Sequence, residues 1–187
     1  MTNAHRRQKQ PELVRKELLA VTLQILVDEG PHAVTLDAVS RRAGVTKGGL
    51  QHHFRSKQAL LDALCDQVLD DFQTRYELAL LAEPDTPGKH ARAYVRLGFD
   101  SGNDPEQVRM QRAIASLALT WPPCRERWSE FVQAAIKADG PGKDAANRLL
   151  LCRLASDGFW YSQMLDTYAI GKTRKKALLN ALLALCE

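Results

Sequence analysis

No stretch of this 187-residue chain is apolar for long enough to cross a bilayer. The opening MTNAHRRQKQPE is polar, with no apolar segment behind it of the kind a secretory signal needs. The expected location is the cytoplasm, without a membrane partner. Cysteine is sparse: Cys65, Cys124, Cys152 and Cys186 lie far apart and form no CxxC pair. Neither a zinc ribbon nor a dense disulfide framework is indicated, and reduced thiols are the expectation. Also missing are an HExxH, a paired Glu-x-x-His set, a glycine-rich phosphate loop behind a strand, and a nucleophile set beside a base. An enzyme, a cofactor and a bound metal are therefore not expected. With no convincing run of strands and no internal repeat, the fold class is all-α, with about nine helices.

What is present is an apolar content of 45%, enough to bury a core, and an uneven charge. Residues 1–57 carry ten Lys and Arg against five Asp and Glu, whereas residues 58–187 carry sixteen against seventeen. Four of the five histidines fall in the first group and all three tryptophans in the second. The excess positive charge suits a polyanion partner for the N-terminal part only.

Residues 1–11 are basic, polar and aperiodic, and are expected to form a flexible arm. From Glu12 to Glu29, Val14, Leu18, Val21 and Ile25 recur at helical spacing until Gly30-Pro31. Thr35 and Thr46 are placed to cap two short helices on either side of Gly44, whose freedom to take a left-handed conformation suits a tight turn. A fourth helix runs from Ser56-Lys57-Gln58 to about residue 82, with Leu60, Leu61, Leu64, Val68, Phe72 and Tyr76 as its spine. EPDTPG, residues 83–88, is the clearest break. Helical patterns then cover about 90–100, 104–120, 123–138, 144–165 and 173–186. The expected organisation is an arm (1–11), a helix-turn-helix domain (12–57, the motif itself 35–54), a connecting helix (58–82) and a C-terminal helical domain (83–187).

On the third helix Leu50 points inward with Phe54 one turn on, which leaves Gly48 and His52 on the opposite side and Gln51 and Gly49 on the flanks. Each glycine inside a helix costs up to about 1 kcal/mol relative to alanine, so stability alone does not call for Gly48 and Gly49 together. Bare backbone there allows close approach to base edges and phosphates. Lys47 can reach guanine acceptors or a phosphate, and His52 a base edge. Thr35, Thr46, Gln51, His53 and Lys57 suit the sugar-phosphate backbone. Adjacent histidines diverge on a helix, which argues against a metal at His52-His53.

The segment GVTKGGLQHHFRSKQALL, with TLDAVSRRA and the helix before it, resembles the N-terminal domain of the tetracycline-repressor (TetR) family of bacterial transcription regulators. The likeness covers about the first 65 residues. It implies a homodimer on a palindromic double-stranded DNA operator, usually a repressor, released when a small effector binds the C-terminal domain. By position, Lys47, Gly48, Gly49 and His52 fall where the family contacts bases, and Thr35, Thr46, Gln51, His53 and Lys57 where it contacts the backbone. Gln51 departs from the tyrosine common there, which removes an aromatic packing surface.

In the C-terminal part the apolar faces of the last two helices are wider than one neighbour covers. Leu149, Leu150 and Cys152 on one helix, with Leu178, Leu179, Leu182, Leu183, Leu185 and Cys186 on the other, are the candidates for a four-helix interface between two chains. Tyr94, Phe99, Met110, Ile114 and Leu117 are candidates to line an effector pocket. So are Trp121, Trp128, Phe131, Phe159 and Trp160, although most aromatics at helical spacing are core. Few charges fall among them, which favours an apolar or aromatic effector. Two alternatives stand beside a repressor: an activator, and a redox-responsive regulator using Cys124, which lies beside Arg125 and near Arg127.

Overall fold

The computed structural model describes residues 3–100, 105–140 and 143–187, and within them there are nine helices and no strand. They are α1 (Asn3–Glu29), α2 (Leu36–Arg42), α3 (Lys47–His53), α4 (Lys57–Ala82), α5 (Lys89–Asp100), α6 (Pro105–Thr120), α7 (Pro122–Ala138), α8 (Lys143–Leu165) and α9 (Lys172–Leu185). The expected all-α class holds. Residue 104, expected to open the sixth helix, lies outside the described residues. The first helix corrects the sequence reading: the backbone is already helical at Asn3, so the expected arm is largely part of α1. Polar straight-chain residues extend a helix at little cost and leave no apolar stripe to betray it. No helix among the described residues is long and apolar enough to cross a membrane.

The chain divides into two compact units. The first comprises Met1–Val68 with Arg112–Cys124. Its core is aliphatic: Leu18, Ile25 and Leu26 of α1, Val34 and Val39, Leu50 of α3, and Leu60 and Leu64 of α4 are all buried. Each such side chain contributes about 1.5–3 kcal/mol by leaving water. Arg42 ties α2 to the end of α1 through Asp28 at 2.7 Å and Glu29 at 2.8 Å. Trp121 donates from Nε1 to Asp62 Oδ1 at 3.0 Å, and Cys65 is disulfide-bonded to Cys124, their Cα atoms 5.7 Å apart. The expectation of reduced thiols is thus corrected for this pair. The two stand 59 positions apart in sequence, and only the packing of the chain brings their Cα atoms into bridging range.

The second unit comprises Leu69–Gln111 and Arg125–Glu187. At its centre, Ala91 to Val95 of α5 are buried consecutively. One side of α5 packs Ala91, Val95 and Phe99 with Leu149, Cys152 and Phe159 of α8 and Cys186, while the other packs Ala93 and Tyr94 with Tyr76, Phe131 and Trp128. At Gly98 a side chain would strike Ser156 of α8, so glycine there sets how closely the two helices approach. The EPDTPG break is folded around Arg92. Its guanidinium donates to Glu83 at 2.9 Å, to the carbonyls of Pro87 at 2.8 Å and Pro84 at 3.0 Å, and to Thr86 Oγ1 at 2.9 Å. Glu83, itself buried, also accepts from Arg96.

Candidate functional site

The helix pair is built from its caps outward. Thr35 Oγ1 accepts from the Ala38 N–H at 3.0 Å and Thr46 Oγ1 from the Gly49 N–H at 3.0 Å, each satisfying a donor that the first turn of a helix leaves open. Because each oxygen serves the cap as an acceptor, its own hydroxyl proton remains for another partner. Gly44 turns the chain between the helices at φ +67°, a conformation few other residues adopt readily. Leu50 and Phe54 are buried as expected, and the Arg15 guanidinium lies 5.0 Å from the Phe54 ring centre.

Thr35, Thr46, Lys47, Gly48, Gly49, Gln51, His52 and Lys57 are exposed, and His53 is half-buried with its ring edge-on to His52. The two glycines separate in their reasons. A side chain at Gly49 would come within 3.2 Å of the capping oxygen of Thr46, a tight approach; at Gly48 it would meet nothing within 4 Å. Nothing in the protein itself demands glycine at 48. Lys47 is held by Asp37 at 2.9 Å, an exposed pair of the kind that contributes about 0–1 kcal/mol and exchanges partners readily. Arg41, within this motif, and Arg55, one residue beyond it, are also exposed and were not among the sequence candidates.

The ten aromatic and aliphatic pocket candidates do not gather at one place. Tyr94, Trp128 and Phe131 share a cluster with Phe72 and Tyr76, in which Phe72 meets Trp128 at 4.9 Å and Phe131 at 5.3 Å between ring centres. Phe99 and Phe159 stack at 4.0 Å on the other side of α5, and Trp160 lies against Tyr161. Ile114, Leu117 and Trp121 belong to the first unit, and Met110 is half-buried in the second. Charge is nearer the aromatic cluster than the sequence suggested. Arg153, only 2% exposed, lies 5.1 Å over the Tyr94 ring and donates to Asp139 at 2.6 Å and to the Ala135 carbonyl at 3.1 Å, and its Nη1 has no hydrogen-bond partner among the described residues. Tyr94 donates to Asp157 at 2.7 Å. Burial raises the pKa of both, with the Asp157 charge raising Tyr94 further. A single arginine within an apolar run was the sequence signal for this group; Phe72 and Tyr76 stood four apart on the connecting helix.

The interface candidates also divide. Leu149, Cys152 and Cys186 are buried within their own chain and Leu179, Leu182 and Leu183 pack against them, whereas Leu150, Leu178 and Leu185 are exposed. Burial beside Cys152 raises the Cys186 thiol to about 12. Four residues outside the candidate set, Leu151, Leu154, Tyr161 and Leu165, extend the exposed row along α8. An all-round apolar helix does not reveal in sequence which side its own chain will cover.

A capped helix pair with an exposed polar and basic face, followed by a separate helical unit, is the architecture of a DNA-binding regulator. A family model described as bacterial regulatory proteins of the tetR family matches residues 18–64, and one described as the tetracyclin repressor-like C-terminal domain matches residues 88–187. The chain belongs to the TetR family of transcriptional regulators. It is 33% identical over 87 residues to the HTH-type transcriptional regulator BetI of Pectobacterium carotovorum subsp. carotovorum, across 46% of this chain and 45% of that protein. The chain thus spans about half the length of the curated relatives it matches. A TetR-family regulator from Streptomyces coelicolor is similar in structure, with a TM-score of 0.71 at 22% identity over 100% of this chain and 95% of that one. The multidrug binding protein EbrR, solved with malachite green, is similar at a TM-score of 0.65 and 18% identity over 91% and 96%. Identities this low speak to the fold alone.

Proposed function

We propose that the protein is a ligand-responsive transcriptional repressor that binds a palindromic operator as a homodimer and leaves it when a small, largely aromatic effector binds the second unit. The observation that carries this reading is α3 itself: one side is anchored by Leu50, the opposite side is exposed, and Gly48 is bare where the protein's own packing does not require it. Lys47 and His52 read bases, Gly48 and Gly49 let the backbone approach, and Thr35, Thr46, Gln51, His53 and Lys57 fix the register on phosphates. Releasing Lys47 from Asp37 costs little, since both are more than half exposed.

The exposed row Leu150, Leu151, Leu154, Tyr161 and Leu165, with Leu178 and Leu185, supports a two-fold interface that sets two recognition helices about 34 Å apart, one turn of DNA. The aromatic cluster around Phe72, Trp128 and Phe131 supports an aromatic effector, and the unpartnered Nη1 of Arg153 favours one carrying a hydrogen-bond acceptor. EbrR's complexes with malachite green and ethidium are compatible with such a ligand class. A DNA titration over a salt series tests the core of the proposal: affinity falls linearly with salt on a double-logarithmic plot if phosphates are neutralised, and weak, salt-insensitive binding to every sequence rejects it. Lys47→Ala and His52→Ala are expected to relax sequence preference by about 1–3 kcal/mol per base pair, while Lys57→Ala weakens binding to all sequences alike. Promoter fusions with and without candidate effectors separate repressor from activator.

A further inference from the structure

We infer that the Cys65–Cys124 pair is a reversible thiol–disulfide switch that sets the DNA affinity of the first unit; the affinity part rests on the proposed operator binding. Cys65 stands in α4, whose first turn is capped by Ser56, two residues beyond the Phe54 that closes the recognition helix. Cys124 stands in the first turn of α7. The bonds that hold the corner from α6 to α7 on α4 include two of different kind: the disulfide, and the hydrogen bond from Trp121 to Asp62 three positions before Cys65. The second survives reduction. Losing only the first loosens the corner without releasing it, which is what a reversible control requires. A cross-link removes freedom from both segments it joins, and here one of them leads directly out of the recognition helix.

Both residues are buried in the bonded form, Cys65 at 0% and Cys124 at 5% exposed. With Cys65 the deeper of the two and Cys124 in the first turn of α7, the first attack is assigned to Cys124. With hydrogen peroxide its thiolate attacks one oxygen and breaks the O–O bond, leaving a sulfenic acid at Cys124 and one water after protonation. The Cys65 thiolate then attacks the Cys124 sulfur, the S–S bond forms, and the sulfenic oxygen leaves as a second water. Two thiols and one peroxide give one disulfide and two waters. Reduction by a dithiol reverses the exchange. Cys152 and Cys186, buried together in the second unit, supply an internal comparison.

The test uses the full chain, reduced with dithiothreitol or oxidised with hydrogen peroxide, and a duplex selected from random-sequence DNA by the reduced protein. Thiols titrated in denaturant are expected to fall from four to two on oxidation, with digestion yielding a Cys65–Cys124 linked peptide. Four surviving thiols, or a Cys152–Cys186 link instead, overturn the inference. Affinity for the selected duplex is expected to change by at least about fivefold between the two states, the lower end of ordinary coupling between sites. Cys124→Ser and Cys65→Ala should abolish that change, and the helical circular dichroism of both variants checks that they fold. A disulfide that forms with less than a fivefold change rejects the switch. If the reduced protein selects no DNA at all, operator binding fails as a reading while the thiol titration still stands on its own.

Discussion

Among the described residues, the first unit buries hydroxyls as its only polar side chains. Thr22 donates to the Leu18 carbonyl at 2.7 Å and Ser40 to that of Asp37 at 3.2 Å, each closing a bond within its own helix. The second unit buries Glu83, Arg92 and Arg153. An aliphatic bundle holds α3 by non-directional packing around Leu50 and leaves its polar face outside. Each charge buried in the second unit makes folding depend on a partner being present, Glu83 for Arg92 and Asp139 for Arg153. The same contrast runs through the charges: Lys47 and Asp37 pair in water, while Arg92 and Glu83 pair away from it.

Three substitutions would break or sharpen that comparison. The largest effect is expected from Arg92→Met, which leaves the buried carboxylate of Glu83 with Arg96 alone and strips the loop carbonyls of Pro84 and Pro87 of their donor; urea unfolding should report a loss of about 3–5 kcal/mol. A variant of unchanged stability would show that the buried pair is dispensable. Next is Gly48→Ala. With open space at that position the thermal midpoint should hold or rise, by up to about 1 kcal/mol of stability, while affinity for a selected duplex drops. Unchanged affinity would remove the close-approach argument. The smallest effect is expected from Asp157→Asn. Burial raises the Asp157 pKa above its ordinary 3.8, so the folded protein holds that proton more tightly than the unfolded chain does. The group's contribution to stability is full below pH 3.8 and is lost as pH rises through the folded value. The asparagine variant should therefore show a flatter decline of midpoint with pH over that window, and identical slopes would count against the carboxyl as the source.

Helix content and order were largely legible, since they depend on periodicity and local punctuation. The sequence places the last five helices within about two residues of α5 to α9, and the capping roles of Thr35 and Thr46 follow from position alone. What escaped depends on residues far apart meeting. The Cys65–Cys124 bond joins positions 59 apart. Arg92 was one basic residue among many until the EPDTPG loop closed around it, and an apparent spacer became part of the second unit's interior. The width of an apolar face was readable on α8, but which part Phe99 and Ala91 would cover was not, and so Leu149 and Cys152 stood beside Leu150 as equals. On the candidate DNA face the exposed residues were legible because a single buried leucine orients the whole of a seven-residue helix.

The cap at Thr46 has a consequence for which substitutions such a helix start could tolerate. Serine, threonine, asparagine and aspartate all hold a first turn well. At a helix start facing a phosphate they are not equivalent, because the hydroxyl accepts inward through its oxygen and still has a proton to give outward, whereas aspartate would accept equally well and bring a negative charge to a polyanion. Folding alone would leave that position open to an acid; a nucleic-acid partner would narrow it to a side chain that is acceptor and donor at once.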